Sequence, residues 1–391
     1  MASEREFDLI VYGATGFTGR LVAEYLAATY SDGSIRWAMA GRSAEKLERV
    51  RGEIGAPADT ALVTADAANP ASLRAMAARA SVIISTVGPY QLYGSELIAA
   101  CAQSGTGYVD LCGEPNWMRA MIDAHEGTAK ANGARIVFSC GFDSIPFDLG
   151  VWCVQQAAKA RWGTPAARVK GRVKAMKGTF SGGTAASMKA TMAAGAKDPS
   201  VLKLMIDPFA LTPGFTGVDQ PKGLMPHYDE TVEAWVAPFI MAVINTKNVH
   251  RTNALAGLPY GADFRYDEMM MVPGLGEAGK AAAEAIANAN PMGGKDAPKP
   301  GEGPSREERE SGFYELLFIA ENGDGETITA TVKGDRDPGY GSTSKMIAEA
   351  AICLLRDVPA DRGGIWTPGA LMAEPLTKRL EARAGVTFSV S

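Results

Sequence analysis

The chain contains 391 residues, of which 46% are hydrophobic and 21% are charged, and its formal net charge is −5. This length has room for two domains, and the composition is that of an ordinary globular protein rather than a disordered or fibrous one. The negative net charge gives no electrostatic indication of nucleic-acid binding, and no apolar stretch is long enough to span a membrane.

The N-terminus and the cysteines indicate the compartment. The opening segment, residues 1–6, is short and polar, so we predict no secretory signal and a cytoplasmic protein. Five cysteines and three histidines are scattered along the chain without a C-x-x-C pair. An odd number of separated cysteines predicts neither a disulfide framework nor a zinc site, and we expect no bound metal.

A glycine-rich turn joins the first predicted strand to the first predicted helix. Phe7, Leu9 and Ile10 open an apolar strand, and a helical pattern of apolar residues follows Arg20. The glycines between them have G-x-x-G-x-x-G spacing, unlike the G-x-G-x-x-G of typical NAD dehydrogenases. Strand, turn and helix in this order are typical of a dinucleotide-binding loop, although such a turn can also serve only to pack a helix on a sheet. We predict that a cofactor pyrophosphate binds here, through Gly13, Ala14, Thr15, Gly16, Phe17, Thr18 and Gly19.

The second predicted strand, residues 35–40, ends in Gly41, Arg42 and Ser43. An NAD-preferring site places an Asp or Glu here for the ribose 2′-hydroxyl, whereas an Arg accommodates a 2′-phosphate. Ser43 can add a hydroxyl to the phosphate or cap the helix predicted over 44–54. Arg42 could also be an ordinary solvated loop arginine. We predict NADP(H) as the cofactor, with Arg42 and Ser43 at its phosphate.

Strands and helices continue to alternate through the first 150 residues. Strands are predicted at 61–66, 81–87, 108–111 and 135–139, and helices at 70–80, 95–103 and 115–132. This pattern predicts a doubly wound parallel sheet of the Rossmann type, with ligands at the carboxyl ends of its strands. We expect Asp66 near the adenine, and the nicotinamide beside Thr86, Val87, Gly88 and Pro89. Gly88 and Pro89 could instead form only a turn, and Thr86 could be a core residue.

A second, α+β domain built on an antiparallel sheet is predicted over 151–340. A strand is predicted at 169–180. Its basic residues, Lys170, Arg172, Lys174 and Lys177, either bind an acidic ligand or form the solvent-exposed face of a sheet. Segments 313–321 and 327–334 flank an Asn-Gly-Asp-Gly turn and predict a hairpin. The Gly-, Pro- and charge-rich stretch at 290–310 predicts a mobile loop. Helices in the last segment, 341–391, are expected to pack back on the first domain.

Several sequence blocks together resemble one family. They are VYGATGFTG at 11–19, AGRS at 40–43, TVGPY at 86–90, YG at 93–94, YVDLCGE at 108–114, GFDSIP at 141–146, SGGT at 181–184, DPGY at 337–340 and WTP at 366–368. The chain resembles the saccharopine dehydrogenase-like oxidoreductases, and within them the trans-acting enoyl reductases. The resemblance implies an NADP(H)-binding Rossmann domain and reduction of a C=C bond conjugated to a carbonyl in lipid- or polyketide-like acyl groups. The wider family also contains saccharopine-type C=N reductases.

Enoyl reduction by conjugate hydride addition creates an enolate, which needs a hydrogen-bond donor at its oxygen and a proton at its α-carbon. No Tyr in the chain has a Lys four residues later, which argues against the Tyr-x-x-x-Lys route of short-chain dehydrogenases. Each Tyr near the predicted crevice could equally be a packing aromatic, and Asp143 could instead cap the helix that follows it. The catalytic candidates are Tyr90, Tyr93, Asp143 and Tyr340, with Ser144 and Thr184 as further donors.

These observations predict an NADPH-dependent oxidoreductase that reduces an activated C=C bond in an apolar acyl, polyketide-like or isoprenoid-like substrate, free or carrier-bound. Three alternatives stay open: a C=N reductase, a non-catalytic NADP(H)-binding regulator, and a lipid-surface or scaffold protein. We expect no nucleic-acid partner and no transmembrane segment, and leave open both peripheral lipid association and a homodimer.

Overall fold

The computed structural model describes residues 5–179, 182–289 and 302–391. Its strands in chain order are β1 (Phe7–Tyr12), β2 (Trp37–Gly41), β3 (Ala61–Thr64), β4 (Ala80–Ser85), β5 (Gly107–Asp110), β6 (Arg135–Val137), β7 (Arg168–Lys177), β8 (His227–Asp229), β9 (Ala234–Pro238), β10 (Arg265–Met271), β11 (Phe313–Glu321), β12 (Thr327–Gly334), β13 (Gly364–Trp366) and β14 (Val386–Val390).

The helices are α1 (Phe17–Thr29), α2 (Ala44–Glu53), α3 (Pro70–Arg79), α4 (Tyr90–Tyr93), α5 (Ser95–Ser104), α6 (Pro115–Asn132), α7 (Ile145–Trp162), α8 (Gly182–Lys197), α9 (Pro199–Ile206), α10 (Ala242–Leu255), α11 (Gly276–Asn288), α12 (Arg306–Glu310), α13 (Thr343–Arg356) and α14 (Pro368–Arg379). Short π-helical segments lie at Pro338–Ser342, before α13, and at Leu380–Ala384, after α14. None of the helices in the described part of the chain is both long and apolar enough to cross a membrane.

The first sheet has the strand order β13-β6-β5-β4-β1-β2-β3, and all its neighbouring pairs are parallel. Its central strands are short apolar runs such as Val82–Ile84, because helices cover both faces. The predicted doubly wound fold is confirmed. Strand order reverses between β1 and β4, which opens a crevice at their carboxyl ends. The strands end one or two residues earlier than predicted in β3, β4, β5 and β6.

The second sheet has the order β14-β12-β11-β7-β10-β9-β8. Five of its pairings are antiparallel, including the predicted hairpin of β11 and β12. The pair of β7 and β10 is parallel, so the sheet is mixed rather than purely antiparallel. β7 itself is antiparallel only to β11, which the basic–apolar alternation of its sequence could not reveal.

The C-terminal segment supplies strands to both sheets. α13 packs against α1, β4 and β5 of the first sheet, and β13 extends that sheet beside β6. β14 pairs with β12 of the second sheet. Of the predicted mobile loop at 290–310, residues 290–301 lie outside the described residues. The remainder includes α12, which begins with a complete capping box between Ser305 and Glu308.

The basic residues of β7 are held by the protein's own side chains. Arg172 is buried and bonds to Asp229 (Nε–Oδ2, 2.9 Å) and to Asp267 (Nη1–Oδ2, 3.0 Å). Lys170 pairs with Asp229 and Glu321. At the exposed end of the strand Lys174 pairs with Glu315, and Lys177 donates to Ser311. This row therefore ties the second sheet together.

Candidate cofactor and substrate site

The glycine turn between β1 and α1 has the close contacts that its sequence predicts. Gly13 has a φ of +93°, and a Cβ there would lie 2.6 Å from Thr86 Oγ1. A Cβ on Gly19 would lie 2.1 Å from the carbonyl oxygen of Gly13. Only glycine fits these two positions, because a side chain would collide with the backbone of the turn or with the end of β4.

The N-terminus of α1 opens into the crevice without a side-chain cap. Its N-cap is Gly16, which is exposed, and no side chain accepts a hydrogen bond from the first turn. The first N–H groups and the positive end of the helix dipole are therefore available for an anion. Thr15 and Thr18 are half-buried beside them, whereas Ala14 is buried and donates its N–H to Ala40 O (3.1 Å).

Phe17 contributes its backbone to this turn but not its ring. The ring packs edge-to-face on Tyr340, with centroids 5.2 Å apart, and Arg309 stacks over it. The side chain of Phe17 therefore anchors the turn to the C-terminal part of the chain. Only its N–H remains as a candidate phosphate donor.

Arg42 lies at the carboxyl end of β2 and is exposed. It makes no hydrogen bond or ion pair with any described residue, so its guanidinium is free to meet a phosphate. Ser43 instead accepts a hydrogen bond from Lys46 N (3.2 Å) and caps α2. Asp66 accepts from Ala68 N (3.0 Å) at the neighbouring strand end. Burial raises the pKa of Tyr12 to about 12, and the charge of Asp66 adds to this rise. The Tyr12 phenol therefore stays neutral at neutral pH.

The end of β4 forms the other half of the crevice. Thr86 is half-buried and donates to Tyr12 O (3.2 Å), which fixes this end to the glycine turn. Val87 and Pro89 are half-buried and Gly88 is exposed. α8 crosses beside them: a Cβ on Gly88 would lie 3.6 Å from Ser187 Oγ, and Gln91 donates to Thr191 Oγ1 (3.1 Å).

These residues fit NADP(H). The turn leaves no room for side chains at Gly13 and Gly19, the helix end is uncapped, and Arg42 is an uncommitted planar cation one strand away. The pyrophosphate would be held by the turn and the α1 N-terminus. Arg42 would meet the 2′-phosphate, and Val87, Gly88 and Pro89 would lie beside the nicotinamide.

The tyrosine candidates do not converge on the crevice. The Tyr90 hydroxyl donates to Ser85 O and accepts from Leu111 N, both at 3.1 Å, so it belongs to the core of the first domain. The expectation that Tyr90 offers its hydroxyl to substrate does not fit this geometry. Tyr93 is exposed at the end of α4, and Tyr340 is buried against Phe17. The side chain of Thr184 lies outside what the structure describes.

Asp143, which follows β6, is the candidate that the structure leaves uncommitted. Its Oδ1 is fully buried without a partner, and its carboxyl bonds to no described residue. It does not cap α7, because the N-cap of that helix is Ser144 and no side chain makes a capping hydrogen bond. Burial raises the pKa of Asp143 to about 7, so the carboxyl can hold and release a proton near neutral pH.

Asp143 faces a polar cluster that sequence reasoning missed. Glu268 of β10 is buried and accepts hydrogen bonds from Asn245 Nδ2 and from the Tyr266 hydroxyl, both at 2.9 Å. Burial raises the pKa of Glu268 well above its ordinary value, and the charge of Asp143 adds to this. Asn248 donates to Ser144 Oγ (2.8 Å). Both domains therefore contribute to one buried group.

Two amide oxygens of this cluster are also unpaired. Asn245 and Asn248 lie one turn apart on α10, and the Oδ1 of each is buried without a partner. α10 has a polar sequence of the kind found on protein surfaces. Most of its residues are nevertheless buried, which is unusual for such a helix. Two features of the sequence could have indicated this cluster. They are the adjacent acids Asp267 and Glu268 in a mostly apolar strand, and the two asparagines at i and i+3 on α10.

A cleft of about 660 Å³ lies elsewhere, on the outer face of the second sheet. It is lined by β7, β8, β10 and the segment before β8, including Arg168, Arg172, Leu224 and Met225. None of its lining residues belongs to the first sheet, so it is separate from the nucleotide crevice. The described residues contain no group of three or more His, Cys, Asp and Glu side chains placed to hold a metal.

Comparisons with known proteins agree with a nucleotide-binding first domain. Residues 9–137 match the family model described as the saccharopine dehydrogenase NADP binding domain. A Mycobacterium tuberculosis (strain ATCC 25618 / H37Rv) protein with the provisional name trans-acting enoyl reductase is 41% identical over 417 positions, covering 100% of this chain and 99% of its own. The Mycobacterium leprae (strain TN) trans-acting enoyl reductase is 38% identical, covering 99% and 98%.

The fold has a solved counterpart. The structure of saccharopine dehydrogenase (L-Glu forming) from Saccharomyces cerevisiae superimposes with a TM-score of 0.55 and 11% identity, covering 98% of this chain and 99% of that one. Together with the family model, this confirms the predicted fold and the predicted cofactor, NADP(H). The chain belongs to the saccharopine dehydrogenase-like oxidoreductase family, whose NADP-binding domain it carries, and it is similar over its full length to trans-acting enoyl reductases.

Proposed function

We propose that this protein is an NADPH-dependent reductase of a C=C bond conjugated to a carbonyl, in an apolar acyl substrate. The observation that carries the proposal is the buried, unpartnered Oδ1 of Asp143, which follows β6 at the same edge of the sheet as the glycine turn. The names of the full-length relatives support the same reaction class.

In this proposal the residues divide into two groups. Gly13, Gly16, Gly19 and Arg42 hold the cofactor, which when bound supplies a hydride to the β-carbon of the substrate. The enolate that results needs a proton at its α-carbon, and Asp143 gives that proton because its pKa of about 7 keeps it partly protonated at neutral pH. Ser144 Oγ accepts a hydrogen bond from Asn248, so the Ser144 hydroxyl can donate its hydrogen to the substrate oxygen.

Reduction of a C=N bond is the second candidate. The unpaired oxygens of Asp143, Asn245 and Asn248 are acceptors, and such a group suits a protonated imine. The arginines of the second sheet do not favour an amino-acid-derived imine, because Arg172 is already paired with Asp229 and Asp267. We therefore rank the C=C substrate first.

An acceptor panel separates these candidates. NADPH oxidation would be followed with medium-chain enoyl thioesters, the matched saturated thioesters and cyclic imines. We expect turnover with the enoyl thioesters alone. Turnover only with imines would support the C=N reductase, and NADPH binding without oxidation of any acceptor would support a regulator.

The role of Arg42 gives a first prediction. Arg42→Ala is expected to weaken NADPH binding by about 1.5–3 kcal/mol, because charge-assisted bonds to the 2′-phosphate are lost, and to leave NADH binding unchanged. Titration calorimetry with both cofactors would measure this. Arg49→Ala removes an exposed arginine of α2 that, among the described residues, pairs with Glu53 alone, and serves as the control. An equal loss for NADPH and NADH would contradict the phosphate role.

A further inference from the structure

Exposed apolar side chains gather beside the crevice. Of the twelve large hydrophobic side chains that are exposed in the described chain, six lie on α4, α8, α9 and the start of α10. We call this set the apolar rim; it consists of Leu92, Tyr93, Met192, Leu202, Ile206 and Val243. Apolar patches of this kind on a soluble domain mark interaction surfaces.

Contacts between the four helices make the rim one surface. The Gln91–Thr191 hydrogen bond joins α4 to α8, and Leu202 packs against Gly195, where a Cβ would lie 2.7 Å from the leucine Cδ2. Lys247 Nζ donates to the carbonyl oxygens of Met205 (2.8 Å) and Val243 (2.9 Å), which joins α9 to α10. Since α8 also borders Gly88, the rim adjoins the substrate end of the crevice.

α9 is the most unusual part of the rim. Its sequence, PSVLKLMI, is apolar, yet none of its residues is buried. Ile206 is 73% exposed. Val201, Leu204 and Met205 are half-buried, whereas Leu202 and Ile206 face outward, so the outer side of this apolar helix points to a partner beyond the described residues.

The composition of the rim favours a lipid surface as that partner. Its exposed side chains are mainly aliphatic and one is a tyrosine. Lys189, Lys197 and Lys203 are exposed on α8 and α9 and outnumber the two exposed acids there, Asp198 and Asp207, which flank α9. Aliphatic tips, interfacial tyrosine and flanking lysines are typical of helices that lie in the headgroup region of an anionic membrane. Protein–protein interfaces are enriched in Arg and aromatic anchors, and α8 and α9 contain no Arg and no aromatic residue.

We propose that the apolar rim seats the protein on an anionic lipid surface. The crevice then opens toward the layer in which an apolar acyl chain dissolves. The identity of that acyl chain rests on the proposed function, whereas lipid binding itself does not require turnover.

Vesicle co-sedimentation tests the proposal with the full-length protein. Vesicles of phosphatidylcholine alone and of phosphatidylcholine with phosphatidylglycerol are compared, for wild type and for the double variant Leu202→Glu with Ile206→Glu. We expect wild type to bind the anionic vesicles preferentially and the double variant to lose at least about tenfold in binding. Leu275→Glu is the matched control, because Leu275 is 74% exposed but lies outside the rim, at the start of α11.

The proposal would be overturned by no binding of wild type to either vesicle or by an equal loss for Leu275→Glu. It would also be overturned by a dimer that the double variant converts to a monomer, which would assign the rim to a second copy. Capture of an acidic carrier protein by the rim without vesicle binding would equally overturn it. Turnover of a short, water-soluble enoyl thioester should be unaltered in every variant. Failure of that assay in wild type would count against the proposed function and not against the rim.

Discussion

Replacing Asp143 by Asn is expected to lower kcat for an enoyl thioester by about 10²–10⁴-fold, because the site loses its proton donor. NADPH affinity should change by less than about twofold, since Asp143 lies outside the glycine turn and the Arg42 loop. Steady-state kinetics together with NADPH titration measures both quantities. A variant with full activity would remove Asp143 from the mechanism.

The pH profile separates a proton donor from a structural residue. A donor must be protonated, and burial raises the pKa of Asp143 to about 7, so kcat/KM should fall about tenfold per pH unit above that value. The Asn variant should lack this alkaline limb. Glu268→Gln is the control, because the Glu268 carboxyl is bonded to Asn245 and Tyr266 and an amide of the same shape should leave the limb in place. An identical limb in the Asn variant would assign the titration to another group.

Replacing Arg172 by Ala is expected to destabilise the protein by at most about 3–5 kcal/mol, because it removes the buried cation that Asp229 and Asp267 share and leaves them only the less buried Lys170 and Arg168 as partners. Urea unfolding followed by circular dichroism measures this. Lys174→Ala removes an exposed ion pair with Glu315 from the same strand and should cost at most about 1 kcal/mol. Equal effects of the two changes would show that the buried network does not stabilise the sheet.

The acid dependence of stability follows from the same network. Burial raises the pKa of Asp229, but Arg172 and Lys170 outweigh it and lower the pKa to about 2. A depressed carboxyl pKa stabilises the fold above the ordinary value near 3.9 and loses this contribution as the pH falls toward 2. The difference in unfolding free energy between wild type and Arg172→Ala should therefore narrow as the pH falls from 5 to 3. A constant difference would contradict the ion-pair assignment.

The parts of the site that sequence could predict are local in the chain. Gly13, Gly16, Gly19 and Arg42 lie within one strand–turn–helix–strand unit, so their spacing alone identifies an NADP(H)-binding crevice. Asp143 was identifiable for the same reason, because it lies in the loop that follows a strand of the parallel sheet. The sequence could not show that Asp143 does not cap α7, because a capping aspartate and a catalytic aspartate can occupy the same position in the sequence pattern.

The parts that could not be predicted depend on contacts between distant segments. Glu268 and Asp267 are neighbours in β10, but one faces α10 and the other faces Arg172, and only the packing of the sheet decides which carboxyl belongs to the site. Tyr90 follows a strand as a substrate-facing residue would, yet its hydroxyl turns back into the domain. The apolar sequence of α9 is typical of a core helix, and its exposure emerges only from the tertiary fold.

Hydride delivery to a conjugated double bond is tested most directly with NADPH that carries deuterium at C4 and an enoyl thioester acceptor. We predict that mass spectrometry and NMR of the product find deuterium on the β-carbon and a solvent-derived hydrogen on the α-carbon, with the solvent step slowed in Asp143→Asn. Deuterium on the α-carbon, or transfer only to the carbon of an imine, would contradict the proposed reaction.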